Sequence, residues 1–182
     1  MDKRTKKGII RPDNPVKQVS LVPKKLNAIT FLASFLGIGF MPFMPGTWGS
    51  LAAYGLYLLI PAAWLIGSGL WISLPVFLLI CLFSVYISSK AEKTLGQDNG
   101  SIVIDEVCGF YLAVLFLPKS WLIGFYGFVL FRVFDIAKPF PVNRSQKLPR
   151  GWGVVTDDLI AGIYANLMLQ LLTRIYPKFF GL

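Results

Sequence analysis

The chain has 182 residues, 55% of them hydrophobic and only 15% charged, with a formal net charge of +9. Soluble domains carry roughly a quarter charged residues, so this composition points away from one. There is no histidine, which excludes His-based acid–base catalysis and His-ligated metals. Cys81 sits in an apolar run and Cys108 beside Gly109, a pair that makes neither a disulfide framework nor a zinc site.

Residues 1–25 form a basic tail. Lys3, Arg4, Lys6, Lys7, Arg11, Lys17, Lys24 and Lys25 are opposed only by Asp2 and Asp13. The tail is too long and polar for a signal n-region, and no cleavage site follows a short apolar core. It reads as solvated and disordered, and basic residues beside a membrane segment favour the cytoplasmic side and anionic lipid. It lacks interleaved aromatics, so nucleic acid is not an expected partner.

Residues 26–182 read as one helical membrane domain. From Leu26 to Ser89 there is no Asp, Glu, Lys or Arg. A span needs about 20 apolar residues, so the stretch holds two or three crossings. Asn27 to Met44 is interrupted by Gly37, Gly39 and Pro42, with Pro45 just beyond, and reads as broken or re-entrant. Spans are expected at Trp48–Ile66 and Gly69–Ser89, turning at Gly67-Ser68-Gly69, with Pro61 and Pro75 as kinks or breaks. A polar loop, Lys90–Gly100, precedes a second pair, Ile102–Leu117 and Trp121–Ala137. A second polar loop, Lys138–Gly153, leads to a last helix over Val155–Tyr176. The expected class is therefore all-α and polytopic, with about five spans plus the broken N-terminal segment. If that segment returns to the side it entered, the tail and both polar loops share one side and carry fourteen of the eighteen basic residues. The positive-inside bias then makes that side cytoplasmic.

Beyond the tail there are seven acids: Glu92, Asp98, Asp105, Glu106, Asp135, Asp157 and Asp158. All fall at expected helix ends on that same side. One acid per helix start is explained by the helix dipole. Two adjacent acids at two separate starts are not, nor is Asp135 at a C-terminus, where the dipole opposes it. Asp98 and Asp105 share a face if one helix runs through Gly100; otherwise Asp98 is a cap. Oxygen-only ligands suit a hard cation, Mg²⁺ or less often Mn²⁺ or Ca²⁺. Arg132 pairs with Asp135 at i,i+3, and Lys138, Arg144 and Arg150 follow as cations able to neutralise a phosphate. Carboxylates, a metal and cations at headgroup level fit phosphoryl chemistry on a lipid. The expected mechanism is attack by a metal-activated water, with a carboxylate taking its proton; an aspartate nucleophile stays open. Rival classes are a transporter or channel, whose acids spread through the membrane depth, a metal-dependent lipid transferase, and an inactive scaffold.

Four segments carry a resemblance: GTWGSLAA at Gly46–Ala53, DNGSIVIDEVCG at Asp98–Gly109, FRVFDIAKPFPV at Phe131–Val142, and GWGVVTDDLIAGIYAN at Gly151–Asn166. With these, the chain resembles the phosphatidylglycerophosphatase A family. The resemblance implies a Mg²⁺-dependent hydrolase that converts phosphatidylglycerophosphate to phosphatidylglycerol on the cytoplasmic face of the bacterial inner membrane. It implies Asp105, Glu106, Asp135, Asp157 and Asp158, with Asp98 beside them, as metal ligands or water activators. Asp105, Glu106, Asp158 and Lys138 are the expected catalytic residues. Arg132 and Lys138 are implied to hold phosphate, aided by Arg144, Arg150 and backbone groups at Gly46 and Thr47. Another lipid phosphomonoester as substrate stays open.

Overall fold

The computed structural model describes residues 26–97, 99–146 and 148–182. The basic tail and Asp98 lie outside these residues. All regular structure among them is helical. The helices are α1 (Ala28–Ala33), α2 (Pro45–Leu59), α3 (Leu70–Leu95), α4 (Ile104–Val114), α5 (Trp121–Ala137), α6 (Val142–Ser145), α7 (Gly151–Ile175) and α8 (Pro177–Phe180), with three short 3₁₀ turns between.

Five helices, α2, α3, α4, α5 and α7, run back and forth through one bundle, and the remaining pieces lie at its ends. At one end the Gly151 N–H donates to Ser89 Oγ at 3.0 Å, tying the start of α7 to the end of α3. The Val103 N–H donates to the Ala33 carbonyl at the same end. At the opposite end Lys119 Nζ donates to the Leu58 and Ile60 carbonyls, and the Tyr57 hydroxyl to the Ser120 carbonyl. The broken segment after Asn27 does not run through the bundle. Asn27 caps α1, and the helix stops where Phe35, Leu36 and Gly37 turn left-handed. Ala33 then packs with Ile87, Ala91, Ile102 and Ile104 at the end where α2 begins.

Several boundaries differ from those expected of the sequence, each for a physical reason. α2 begins at Pro45, which supplies the fixed φ a first helical position wants, and stops before Pro61, which cannot continue it. Pro75 is the sixth residue of α3 and costs it the bond to the Trp71 carbonyl, yet the helix continues to Leu95, as apolar helices packed on neighbours do past a proline. α4 begins at Ile104 and residues 99–103 are not helical, so the helix that carries Asp105 does not reach back into the first polar loop. α7 begins at Gly151, four residues earlier than expected. Asp157 and Asp158 therefore sit in its second turn, and no acid occupies its first.

Two segments, Gly67–Leu95 and Gly151–Ile175, are long and apolar enough to cross a bilayer. At 11 residues α4 is about 16 Å long, too short to cross alone. The outer surface is an apolar belt that includes Leu78, Leu79, Phe83, Phe125, Leu167 and Leu171. Exposed tryptophans flank it, Trp71 and Trp121 at one end and Trp48 and Trp152 at the other. Apolar belts with interfacial tryptophan mark membrane contact.

α4 and α7 make the tightest crossing. A Cβ on Gly162 would collide with the Gly109 carbonyl, and one on Gly109 would meet the Phe131 ring and the Asp158 carbonyl at 2.5–2.7 Å. Small residues let two backbones approach this closely where no hydrophobic effect drives helices together. Gly162→Ala is therefore expected to lower the melting temperature in detergent by several degrees, from about 1–3 kcal/mol of overpacking. An unchanged melting temperature would show that α4 and α7 separate without cost.

Candidate metal-phosphate site

The early parts of α2, α4 and α7 and the end of α5 meet at one end of the bundle around a cavity of about 270 Å³. Asp105, Glu106, Asp135, Asp157 and Asp158 line it together with Arg132, Lys138 and Gly46. Each acid arrives by its helix. Asp105 and Glu106 occupy the first turn of α4, Asp135 the last turn of α5, and Asp157 and Asp158 the second turn of α7. All five are buried. The helix dipole accounts for the α4 pair alone, since the α7 pair lies beyond the first turn and Asp135 is at the unfavourable end.

Arg132 Nη1 holds two acids together, at 2.7 and 2.8 Å from the Glu106 oxygens and 2.7 Å from Asp135 Oδ2. Ser50 Oγ donates to Glu106 Oε2 at 2.6 Å. Lys138 Nζ lies 2.6 Å from Asp157 Oδ2 and 3.6 Å from Asp135 Oδ1. Burial opposes the charge on Lys138, but the hydrogen bond and charge of Asp157, with the charge of Asp135, outweigh it and raise the ammonium above its usual range. Lys138 itself is left-handed, φ 43°, at the C-cap of α5 before Pro139. A non-glycine residue there is strained, as is common at functional sites.

Five carboxylates against two cations leave this cavity with a formal charge of −3. Uncompensated charge away from water costs several kcal/mol, and such a cavity repels phosphate. Glu106, Asp135 and Asp158 each offer an oxygen, and the three lie within 4.8 Å of one another. Asp158 Oδ2 and Asp105 Oδ1 are buried and accept no hydrogen bond. Clustered hard oxygens with unused lone pairs fit a divalent cation of the Mg²⁺ type.

Most of the residues singled out in the sequence meet here. Thr47 does not line the cavity; its hydroxyl is buried without a hydrogen-bond partner. Arg144 lies over the Phe140 ring at 4.8 Å, and Arg150 lines a separate recess with Lys90, Lys93 and Trp152. Two contributors fall outside the residues expected from the sequence, Ser50 and the Asn99–Gly100 turn that closes one wall. Ser50 had a signal: Gly46, Gly49, Ser50 and Ala53 are small residues at helical spacing, the mark of a close-packed face.

Comparison with known proteins places the chain in a family. The family model of phosphatidylglycerophosphatase A matches residues 31–173. The chain belongs to this family. A phosphatidylglycerophosphatase A of Haemophilus influenzae is 38% identical over 161 residues, covering 86% of this chain and 93% of the relative. That of Escherichia coli is 35% identical over 158 residues, with 85% and 88% covered. A protein of Bacteroides thetaiotaomicron described as a putative phosphatidylinositol-3-phosphatase is 34% identical over 141 residues, covering 73% and 86%. No solved structure matches the chain. The matched region holds the whole acidic cavity and leaves the tail outside it.

Proposed function

We propose that the chain is a Mg²⁺-dependent phosphatidylglycerophosphatase, a multi-pass protein of the bacterial inner membrane that releases phosphate from phosphatidylglycerophosphate at the cytoplasmic face. The observation that carries this is the convergence of Glu106, Asp135 and Asp158 with Arg132 and Lys138 in one cavity at the end of an apolar bundle. The matching family supplies the phosphomonoester and its lipid. The cytoplasmic orientation rests on the basic residues gathered at the cavity end.

A bound Mg²⁺ supplies a Lewis acid that polarises the phosphoryl group and makes water a better nucleophile. The chain's own residues do the rest. Glu106, fixed by Ser50 and Arg132, forms the ligand set with Asp135 and Asp158. Lys138 reaches the cavity from the α5 C-cap and meets the phosphoryl oxygens, and Arg132 adds positive charge beside it. Asp105 lies outside the ligand triad with Oδ1 unpartnered, and it accepts the proton of the attacking water. The carboxylates are buried, so these charges act at a dielectric below that of bulk water.

A second substrate has specific support. One relative, 34% identical, is described as a putative phosphatidylinositol-3-phosphatase, a name that refers to a different lipid phosphomonoester. Phosphate release from phosphatidylglycerophosphate and from phosphatidylinositol 3-phosphate, each in detergent micelles, separates the two. EDTA is expected to abolish release and added Mg²⁺ to restore it. Release that persists after exhaustive chelation would overturn the metal assignment, and folded protein inactive on both lipids would overturn the phosphatase assignment.

A further inference from the structure

α2 and α3 each pack against α4 and leave a groove between themselves. Its floor is Ala53 and Tyr57 of α2 with Cys108 and Phe110 of α4, all buried. Its rims are Leu56 on α2 and Ile80 on α3, each 42% exposed on the apolar belt. Val76 and Phe77 line the α3 wall, and the deep end closes where the Tyr111 hydroxyl donates to the Trp64 carbonyl at 3.0 Å. The groove therefore opens sideways, onto the surface that faces lipid.

Its position relative to the acidic cavity is fixed by two helices. On α4, Asp105 and Glu106 belong to the cavity, and Val107, Cys108 and Tyr111 belong to the groove. On α2, Gly46 lines the cavity, while Ala53, Leu56 and Ile60 line the groove 7 to 14 residues further along. At 1.5 Å per residue that is roughly 10–21 Å below the cavity, toward the opposite end of the bundle. Between the two recesses Gly49 lies close against Val103 and Ser50 bonds Glu106, so a lipid held at the carboxylates would lay its tail over this contact to reach the groove.

We propose that the groove takes an acyl chain of the lipid whose phosphate occupies the acidic cavity. This rests on the lipid phosphatase function proposed above, and it adds how the substrate is selected. Arg132 and Lys138 recognise only phosphate, which soluble phosphomonoesters also carry. The α2–α3 groove rewards a long apolar tail attached to that phosphate through close packing, since the tail is already out of water and gains only van der Waals fit along the groove. Selection for a membrane lipid then comes from two subsites joined by α4, and neither suffices alone.

The test compares phosphatidylglycerophosphate carrying long chains with its dihexanoyl form, using wild type and Val76→Trp. Val76 is half-buried on the groove wall, and an indole there fills the channel. Leu79→Trp, at a site 66% exposed on α3 and outside the groove, serves as control. Val76→Trp is expected to lower kcat/KM for the long-chain lipid about tenfold or more, because a tail kept out of the groove misplaces the phosphate attached to it. Turnover of the dihexanoyl form should change less than about threefold, and the control should affect neither. Equal loss on both substrates, or no loss on the long one, overturns the groove assignment.

Cross-linking of wild-type protein gives a readout independent of turnover and of the variant's folding. Phosphatidylglycerol with a diazirine in its acyl chain should label Leu56, Val76 and Ile80 above the belt residues Leu78 and Leu79. Even labelling of the belt, or a groove covered by a second copy of the chain, overturns the proposal. If wild type hydrolyses neither substrate, the phosphatase function fails by itself, and the labelling pattern still decides the groove.

Discussion

Asp158→Asn is expected to reduce phosphate release by roughly 10²–10³-fold or more, while metal-free protein melts no lower than wild type. The two halves of that result come from one cause. Asp158 is 4% exposed, and it shares a 4.8 Å cluster with Glu106 and Asp135. Its Oδ2 accepts no hydrogen bond, so the side chain contributes little to holding the apo fold. Removing its charge takes the cavity from −3 to −2 and relieves repulsion among the remaining acids. An asparagine of the same shape withdraws one anionic ligand and adds an N–H₂ beside the others, which a cation does not tolerate. Thermal stabilisation by Mg²⁺ should therefore vanish together with activity. Melting curves with and without Mg²⁺, read beside phosphate release, check both halves. Full activity in a variant that Mg²⁺ still stabilises would remove Asp158 from the ligand set.

How much of the fold and the site is legible in the sequence follows from which signals are local. The uncharged run from Leu26 to Ser89 by itself announces an apolar bundle. Paired acids at Asp105-Glu106 and Asp157-Asp158, with Arg132, Asp135 and Lys138 at one helix end, announce a site, because charges in so apolar a chain need a partner or a task. Their convergence across helices is visible in the sequence only as a shared side. Where periodicity weakens, the expected boundaries shift by a turn. Gly151 and Gly153 look like loop, yet they begin α7, because their missing side chains let it pass Val85, Ser88 and Gln146. Ser50 escapes notice because a serine in a helix has many uses, and its partner Glu106 is 56 residues away. Arg144 and Arg150 follow Lys138 closely in sequence, but α6 and the turn after it carry them away from the cavity. Charge counted along a loop records which side it lies on, and only the fold says which charges meet.

Gly46→Ala should lower phosphate release by about 10²-fold and the melting temperature of the metal-free protein by a few degrees. Alanine is the better helix former, by about 1 kcal/mol, and α2 has helical backbone at this position, so local propensity favours the variant. The cavity opposes it. A Cβ at residue 46 would collide with Glu106 Oε1 and lie 3.0 and 3.1 Å from the Arg132 Nη1 and Nη2 atoms. Glu106 has nowhere to retreat, because Ser50 holds one oxygen at 2.6 Å and Arg132 holds both. Either α2 shifts away or the Glu106–Arg132 pair turns, and both move a metal ligand by a distance that catalysis feels. Gly55→Ala is the matched control, on the same helix with nothing within 4 Å of its Cβ, and it should keep full activity. Kinetics of the two variants side by side separate helix propensity from site geometry. Equal activity in both would mean that Glu106 is free to move during turnover, and its place in the ligand set would fall with that result.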